Sequence, residues 1–372
     1  MDLYITQEEL ARALGTVQGV VERRSNQQVL AHTLLSAKDD HLQVTATDQE
    51  ITVIHRFPAE VAKRGLACVH AVHLFQVARN LPDRAVHLVG QDNHALVVDA
   101  PPAHFRLVGL PPDEYPTLPA FEASATLTVK AGELLRIIDR TVFAIPADDQ
   151  RYGLNGGHLE SVEDLEGKTR LRLVTTDGNR LCYAGAAYEG EFGMGRHMLV
   201  PRKALHEIRK MLDVADADVE IAFGERAASF TIGTSVLHTR LVDGEFPAYR
   251  SVLPTNFQRR VVVNRVAFRD ALRRVALEAI DQASTIRMSF ADDEVLITSR
   301  GIDHGEAKHP VPMVFEGDPI EMGFNVRYFL EVVNCIDEDE LVLELGEPLS
   351  PCMVRSPTDE DSLFIIMPIR LD

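Results

Sequence analysis

Apolar residues fall at helical spacing in three places along this chain, each time just after a short β-prone run. Leu3–Val17 reads LYITQEELARALGTV, Leu127–Thr141 reads LTVKAGELLRIIDRT, and Val261–Val275 reads VVVNRVAFRDALRRV. Leu10, Leu14 and Val17, then Leu134, Ile138 and Thr141, then Phe268, Leu272 and Val275 stand three and four positions apart, which gives each helix one apolar stripe. A second strand-plus-helix pattern recurs over 67–83 (ACVHAVHLFQVARNLPD), 197–213 (HMLVPRKALHEIRKMLD) and 320–337 (IEMGFNVRYFLEVVNCID). Hairpins recur as well. In Leu173–Leu181, LVTTDGNRL, a β-branched run stops at the turn pair Asp177-Gly178 before a second apolar run begins. Leu42–Val53 and Val295–Gly305 repeat that pattern.

The repeat length is about 125 to 135 residues, far beyond the roughly 20 to 50 of a solenoid unit. The pattern therefore predicts an α+β protein of three similar domains, each with two helices and mostly antiparallel sheets. Proline and small polar residues gather at 116–125 and 246–259. They place the domains at 1–121, 125–253 and 258–372. Asn155–Arg170, NGGHLESVEDLEGKTR, reads as a solvated hairpin loop of the middle domain.

Composition adds limits. The chain has 372 residues, 45% hydrophobic and 25% charged, as in an ordinary globular protein. No run approaches the roughly 18 apolar residues of a membrane span, and MDLYITQEEL is not a secretory signal. Cys68, Cys182, Cys335 and Cys352 lie far apart without a C-x-x-C, which suits a reducing cytoplasm. The net charge of −18 argues against nucleic acid only as a sum, because the distribution of charge decides. Pro201–Leu212 is locally positive: Arg202, Lys203, Arg209 and Lys210 stand against Glu207 alone, with Leu205, Ile208 and Leu212 turned to a core.

Catalytic patterns are missing. There is no phosphate loop, no G-x-S-x-G elbow and no second His for His206-Glu207. Asp148-Asp149, Asp292-Asp293 and Asp337–Glu340 could hold Mg²⁺, yet each sits beside a turn and reads as solvated surface. The expectation is no catalytic residue, no metal and no cofactor. At the other end, Leu363–Leu371 (LFIIMPIRL) reads as a last strand or part of an apolar groove. Pro368 is expected to leave Ile369, Arg370 and Leu371 outside the ladder.

TDGNRL (176–181), VPRKALHEIRKMLD (200–213), LVDGEFPAYRSVLP (241–254), GFNVRYFLEVVN (323–334) and MPIRL (367–371) together resemble the bacterial DNA sliding clamp, the β subunit of DNA polymerase III, along the whole chain. The resemblance implies half of a head-to-tail homodimeric ring, with twelve helices lining a hole for duplex DNA held by topology and without sequence preference. Twelve helices about 10 Å wide give a circle roughly 38 Å across their centres and about 28 Å clear, enough for a duplex. It implies that Arg24, Arg202, Lys203 and Lys210, with Arg12 and Arg136, face the DNA. Val72 and His73 stand where the family often has Arg and Lys, which thins that lining.

The resemblance also implies a hydrophobic pocket that takes a short peptide with a glutamine and bulky apolar residues. Its matched positions are Arg151, Leu154, Thr176, Gly178, Asn179, Arg180, Leu181, Pro247, Val252, Pro351, Ile365, Ile366, Met367, Pro368, Ile369 and Arg370. Asn179 stands where His is frequent, and Ser251 where one pattern has Arg. The implied partners are the polymerase III α subunit, the clamp loader δ subunit, and other polymerases and repair proteins with a clamp-binding peptide; no membrane is involved. Phe105, Leu107 and Leu277 are the expected dimer contacts. The residues alone leave two alternatives: a metal-dependent nuclease built on the paired acids, and a protein-only scaffold of three repeated domains.

Overall fold

The computed structural model describes residues 1–22, 27–116, 122–147, 152–163, 167–192, 197–212, 217–279, 284–301 and 305–371. Among them are six α-helices: α1 (Gln7–Val17), α2 (Ala71–Arg79), α3 (Ala131–Asp139), α4 (Arg202–Met211), α5 (Arg265–Val275) and α6 (Val326–Cys335). α1, α3 and α5 each follow a short strand, and so do α2, α4 and α6. The recurring pattern is thus present as paired strand–helix units. Leu10, Leu14, Val17, Leu134, Ile138, Phe268, Leu272 and Val275 are all buried. Thr6, whose hydroxyl accepts the Glu9 N–H at 3.2 Å, caps α1, and the Asn264 side chain caps α5 through Ala267 N–H at 3.0 Å.

The chain packs as two compact units, each assembled from separate stretches. The first holds 1–134, 188–192 and 203–241. It contains a five-stranded sheet that ends in the edge strand Ala103–Leu107, and a ten-stranded sheet. All strand pairs in both are antiparallel. The longer sheet crosses from early to middle sequence where Ile51–Pro58 pairs Ser235–Arg240, with Ser235 opposite His55. The second unit holds 135–187, 193–202 and 242–372, built on a twelve-stranded sheet. There Arg180–Ala187 pairs Ser362–Ile366, with Ala184 opposite Ser362. Strands of the middle segment therefore take part in sheets of each unit.

The crossing pair in the first unit carries a titratable ring. His55 stacks on Phe57 (centroids 3.9 Å apart) and its Nδ1 lies 2.8 Å from Ser235 Oγ. Burial, helped by the Arg12 charge, pulls its pKa down to about 4 from 6.5. The folded state thus resists a proton that the unfolded chain accepts. Stability should fall as pH drops from about 6.5 to about 4 and level off below, by about 1–2 kcal/mol after solvent screening. Urea unfolding at pH 7, 5.5 and 4 would show this, and His55→Asn should flatten that window.

The recurring hairpins form as expected. Thr169–Thr176 and Arg180–Ala187 meet with Thr176 opposite Leu181. The Asp177 carboxylate accepts the N–H of Asn179 (2.9 Å) and of Arg180 (3.1 Å), and Gly178 takes φ +87°, the region open to a residue without Cβ. His41–Thr47 with Ile51–Pro58 repeats the device, Asp48 accepting the N–H of Glu50 and Ile51.

Two expectations are corrected. Gly156–Glu163 is a strand whose residues 156–162 are buried, where a solvated loop was expected; 164–166 lie outside the described residues. Glu160 is sunk because Tyr249 and Arg250 meet its carboxylate inside, and the His158 ring stacks on Phe246. The tail also differs. Pro368 does end the ladder at Ile366, yet Ile369 bridges the separate strand Ile320–Asn325, donating its N–H to Gly323 O at 2.7 Å. A Cβ on Gly323 would lie 2.6 Å from Ile369 O and 2.7 Å from Leu371 Cδ2, so glycine makes the seat for the tail.

Candidate peptide-binding pocket

Strand alternation builds one wall of a cavity in the second unit. Along Ser362–Ile366, successive side chains point to opposite faces. Ile365 faces the cavity, while Ile366 is fully buried in the core with Phe268, Phe364 and Val354. Across the pairing, Leu181 stands opposite Ile365 and joins it, with Val174, Tyr249 and Met353, in a separate apolar cluster. The 3-10 turn Tyr249–Val252 brings positions 249 and 252 to one side, and Leu154 ends another such turn. Thr176 and Gly178 come from the hairpin turn.

The cavity measures about 480 Å³ and is lined by Leu154, Thr176, Gly178, Arg180, Leu181, Pro247, Ala248, Tyr249, Val252, Pro351, Ile365 and Met367. Its size and apolar lining suit a few bulky side chains. Two of its wall residues are large, apolar and solvent-facing: Val252 is 57% exposed and Met367 39%.

Ten of the positions named from sequence meet here. Ala248 and Tyr249 were missed, although they sit between the named Pro247 and Val252, and a three-residue turn would have implied Tyr249. Asn179 is at the hairpin apex, outside the lining, where its carbonyl accepts the Met367 N–H at 2.9 Å. Ile366 is turned away by alternation, and Pro368, Ile369 and Arg370 lie past the strand end. Arg151 lies outside the described residues.

Arg180 was expected among the pocket positions, and it does line the cavity. It is 8% exposed and heavily engaged inside the fold. Nε donates to Asp177 at 3.0 Å, one Nη to Glu331, and the other to Phe143 O at 2.7 Å. Its guanidinium lies over Tyr328 (4.5 Å) and Phe143 (5.2 Å). Arg180 therefore braces the hairpin against α6.

Three of the expected DNA-facing cations, Lys203, Lys210 and Arg136, are also tethered. In the first unit, Lys203 donates to Val20 O at 3.0 Å and pairs with Asp48, and Lys210 pairs with Glu207 at 2.7 Å. Arg12 is exposed over the Phe57 ring at 5.5 Å. In the second unit, Arg136 donates to Gly185 O at 2.6 Å and pairs with Asp359 at 3.4 Å, and Arg202 is half-buried. Arg24 lies outside the described residues. Of the expected dimer contacts, Phe105 is 36% exposed on the edge strand, Leu107 is buried there, and Leu277 is 73% exposed just past α5. Among the described residues, no group of three or more His, Cys, Asp or Glu could hold a metal ion, and Asp148-Asp149 lies outside them. Among the described residues, no helix is long and apolar enough to cross a membrane. The four cysteines are free thiols.

Three family descriptions match in order: DNA polymerase III beta subunit, N-terminal domain, over residues 1–119; its central domain over 128–248; and its C-terminal domain over 250–370. The chain is 33% identical to the beta sliding clamp of Caulobacter vibrioides and 34% identical to that of Pseudomonas putida, with both chains covered in full. A solved sliding clamp from Bartonella birtlesii, bound to griselimycin, superposes with a TM-score of 0.94 at 31% identity over both whole chains. The clamp from Caulobacter crescentus gives 0.90 at 33%, again over both whole chains.

Proposed function

We propose how this protein works from the premise that the chain belongs to the DNA polymerase III beta subunit family, the bacterial sliding clamps. It has the α+β clamp fold and acts in replication as a sliding clamp, an accessory subunit without catalysis of its own. A protein-only scaffold, the other reading open to a threefold repeat, is not favoured by this full-length kinship.

The finer reading is as follows. The three domains are 1–121, 125–253 and 258–372. Two copies close head to tail, the edge strand near Phe105 and Leu107 meeting the partner's surface around Leu277. Duplex DNA passes through without sequence preference, facing Arg12, Arg24, Arg136, Arg202, Lys203 and Lys210. The pocket around Leu181, Val252, Ile365 and Met367 receives the clamp-binding peptides of the polymerase III α subunit, the loader δ subunit, and other polymerases and repair proteins. The site of action is the cytoplasm.

The observation that carries this reading is the apolar cavity, which holds ten of the matched positions in one place. Its exposed Val252 and Met367 are the kind of solvent-facing apolar surface that marks an interaction site. The ion pairs of Lys203 and Lys210 favour sliding as well. Cations shared with Asp48 and Glu207 attract phosphate without gripping it, so holding rests on topology and the salt-sensitive part of binding stays small.

Retention on DNA tests the reading. The protein is loaded onto nicked circular duplex with a clamp loader and ATP, passed down a sizing column, and the circle is then linearised. It should stay with the circle and leave the linear form. Equal loss from both forms as salt rises would mean ordinary electrostatic binding and would overturn the ring.

A further inference from the structure

One wall of the peptide pocket is a segment with little backbone support of its own. The bonds within it are short-range: Tyr249 N–H to Pro247 O at 2.6 Å and Ser251 N–H to Ala248 O at 3.1 Å. Yet Pro247, Ala248, Tyr249 and Val252 all line the cavity. Side chains from the buried strand Gly156–Glu163 hold this segment in place.

The Tyr249 hydroxyl donates to Glu160 Oε1, and Arg250 Nη2 donates to Glu160 Oε2 at 3.1 Å. Two positions earlier on the same strand face, His158 stacks on Phe246 (centroids 4.8 Å apart, 18° between planes), and its Nε2 lies 3.6 Å from Glu160 Oε2. The segment is thus pinned at Phe246, Tyr249 and Arg250. Glu160 and His158 are each more than nine-tenths buried, and the Glu160 carboxylate is ionised, with its pKa at about 2. Burial alone would raise that pKa; the neighbouring His158 ring, the hydrogen bond from Tyr249 and the charge of Arg250 outweigh it. A buried carboxylate satisfied in this way is a rigid anchor, because any movement of Tyr249 leaves it short of a donor.

We infer that Glu160 is a positioning residue for peptide binding: through the Tyr249 hydroxyl it fixes the 247–252 wall in the shape that accepts an apolar side chain. This rests on the pocket reading above. Glu160 does not line the cavity, and its effect passes through Tyr249. A pre-formed wall spares the bound complex the cost of ordering that segment.

A double-mutant cycle tests it, using full-length protein and a fluorescein-labelled peptide with one glutamine followed by leucine and phenylalanine, read by polarisation. Tyr249→Phe keeps the ring in the wall and removes the hydroxyl, which meets Arg172 and Arg250 as well as Glu160, and should weaken peptide binding about fivefold to tenfold. Glu160→Leu should match it. Glu160→Gln, which keeps an acceptor for Tyr249, should stay within about threefold of wild type. The double variant Tyr249→Phe/Glu160→Leu should bind no worse than either single one, as expected of one shared interaction. Ile297→Val, a change in the remote buried core of the same unit, should leave the peptide affinity unmoved. Additive losses, or an equal loss in Ile297→Val, would mean general destabilisation and overturn the inference. If wild type binds and Tyr249→Phe stays within twofold of it, the inference alone falls. A wild type that does not bind the peptide overturns the pocket reading and the inference together.

Discussion

Val252→Asp and Met367→Asp should each weaken binding of the same peptide by about 100-fold or more while leaving the fold intact. Both side chains stand in the cavity wall, yet both are substantially open to solvent in the free protein. A carboxylate at either place is hydrated until a ligand arrives, so the unbound state loses little. On binding, the apolar ligand side chain would bury that carboxylate without a counter-charge, and removal of an anchor contact at an interface centre commonly costs about 2–4 kcal/mol before that penalty is added. Unfolding free energies should stay within about 0.5 kcal/mol of wild type, as for most surface changes. Polarisation titrations and denaturant unfolding on the same preparations separate the two quantities. Affinity within threefold of wild type for both variants would mean that the peptide seats elsewhere.

The largest stability effect should come from Arg140, a residue with no part in the pocket. It is 4% exposed. Nη1 donates to Asp359 and, at 3.1 Å, to Ser362 Oγ; Nη2 lies 3.4 Å from Glu338 Oε1. Arg136 reaches Asp359 at 3.4 Å as well. These contacts join the end of α3 to two stretches far along the chain. Arg140→Met keeps the volume but leaves Asp359 and Glu338 short of their shared cation. Breaking a buried pair from one side costs about 3–5 kcal/mol, more than a well-packed apolar replacement of the whole group would. The triple variant Arg140→Met/Glu338→Gln/Asp359→Leu should therefore recover much of the loss. Urea unfolding of both proteins decides it; a loss under about 1 kcal/mol for Arg140→Met would mean that water reaches the cluster.

What could be read from sequence follows from which signals are local. Asp177-Gly178 encodes its own turn, and the offsets of Phe268, Leu272 and Val275 encode their own face, so hairpin and helix were legible without the rest of the chain. The fold class came from the ordered recurrence of such pieces and the clamp kinship from the resemblance of motifs such as TDGNRL and MPIRL, and the full-length relatives agree. Gly156–Glu163 was misread because its polarity is answered at a distance: nothing near Glu160 in sequence announces Tyr249 or Arg250. Arg180 was named through the resemblance and does line the cavity, but its engagement with Asp177, Glu331 and Phe143 was not visible in the sequence. Ile366 was included as a position matched through the resemblance, although a strand sends adjacent side chains to opposite faces and turns it into the core.

The pairing of Ala184 with Ser362 also sets an order of events in time. At about 5–20 residues per second, a nascent chain that has made Arg180–Ala187 waits roughly ten seconds or more before Ser362–Ile366 exists to pair with it. Such distant pairings close late, because loop entropy must be overcome before the contact stabilises anything. Leu181 is ready early; Ile365 and Met367 arrive only with the final strand. The cavity therefore cannot exist on a half-made chain. An unfinished product on the ribosome has no groove to offer and cannot sequester partner peptides, so competence to bind is acquired only when this sheet is closed.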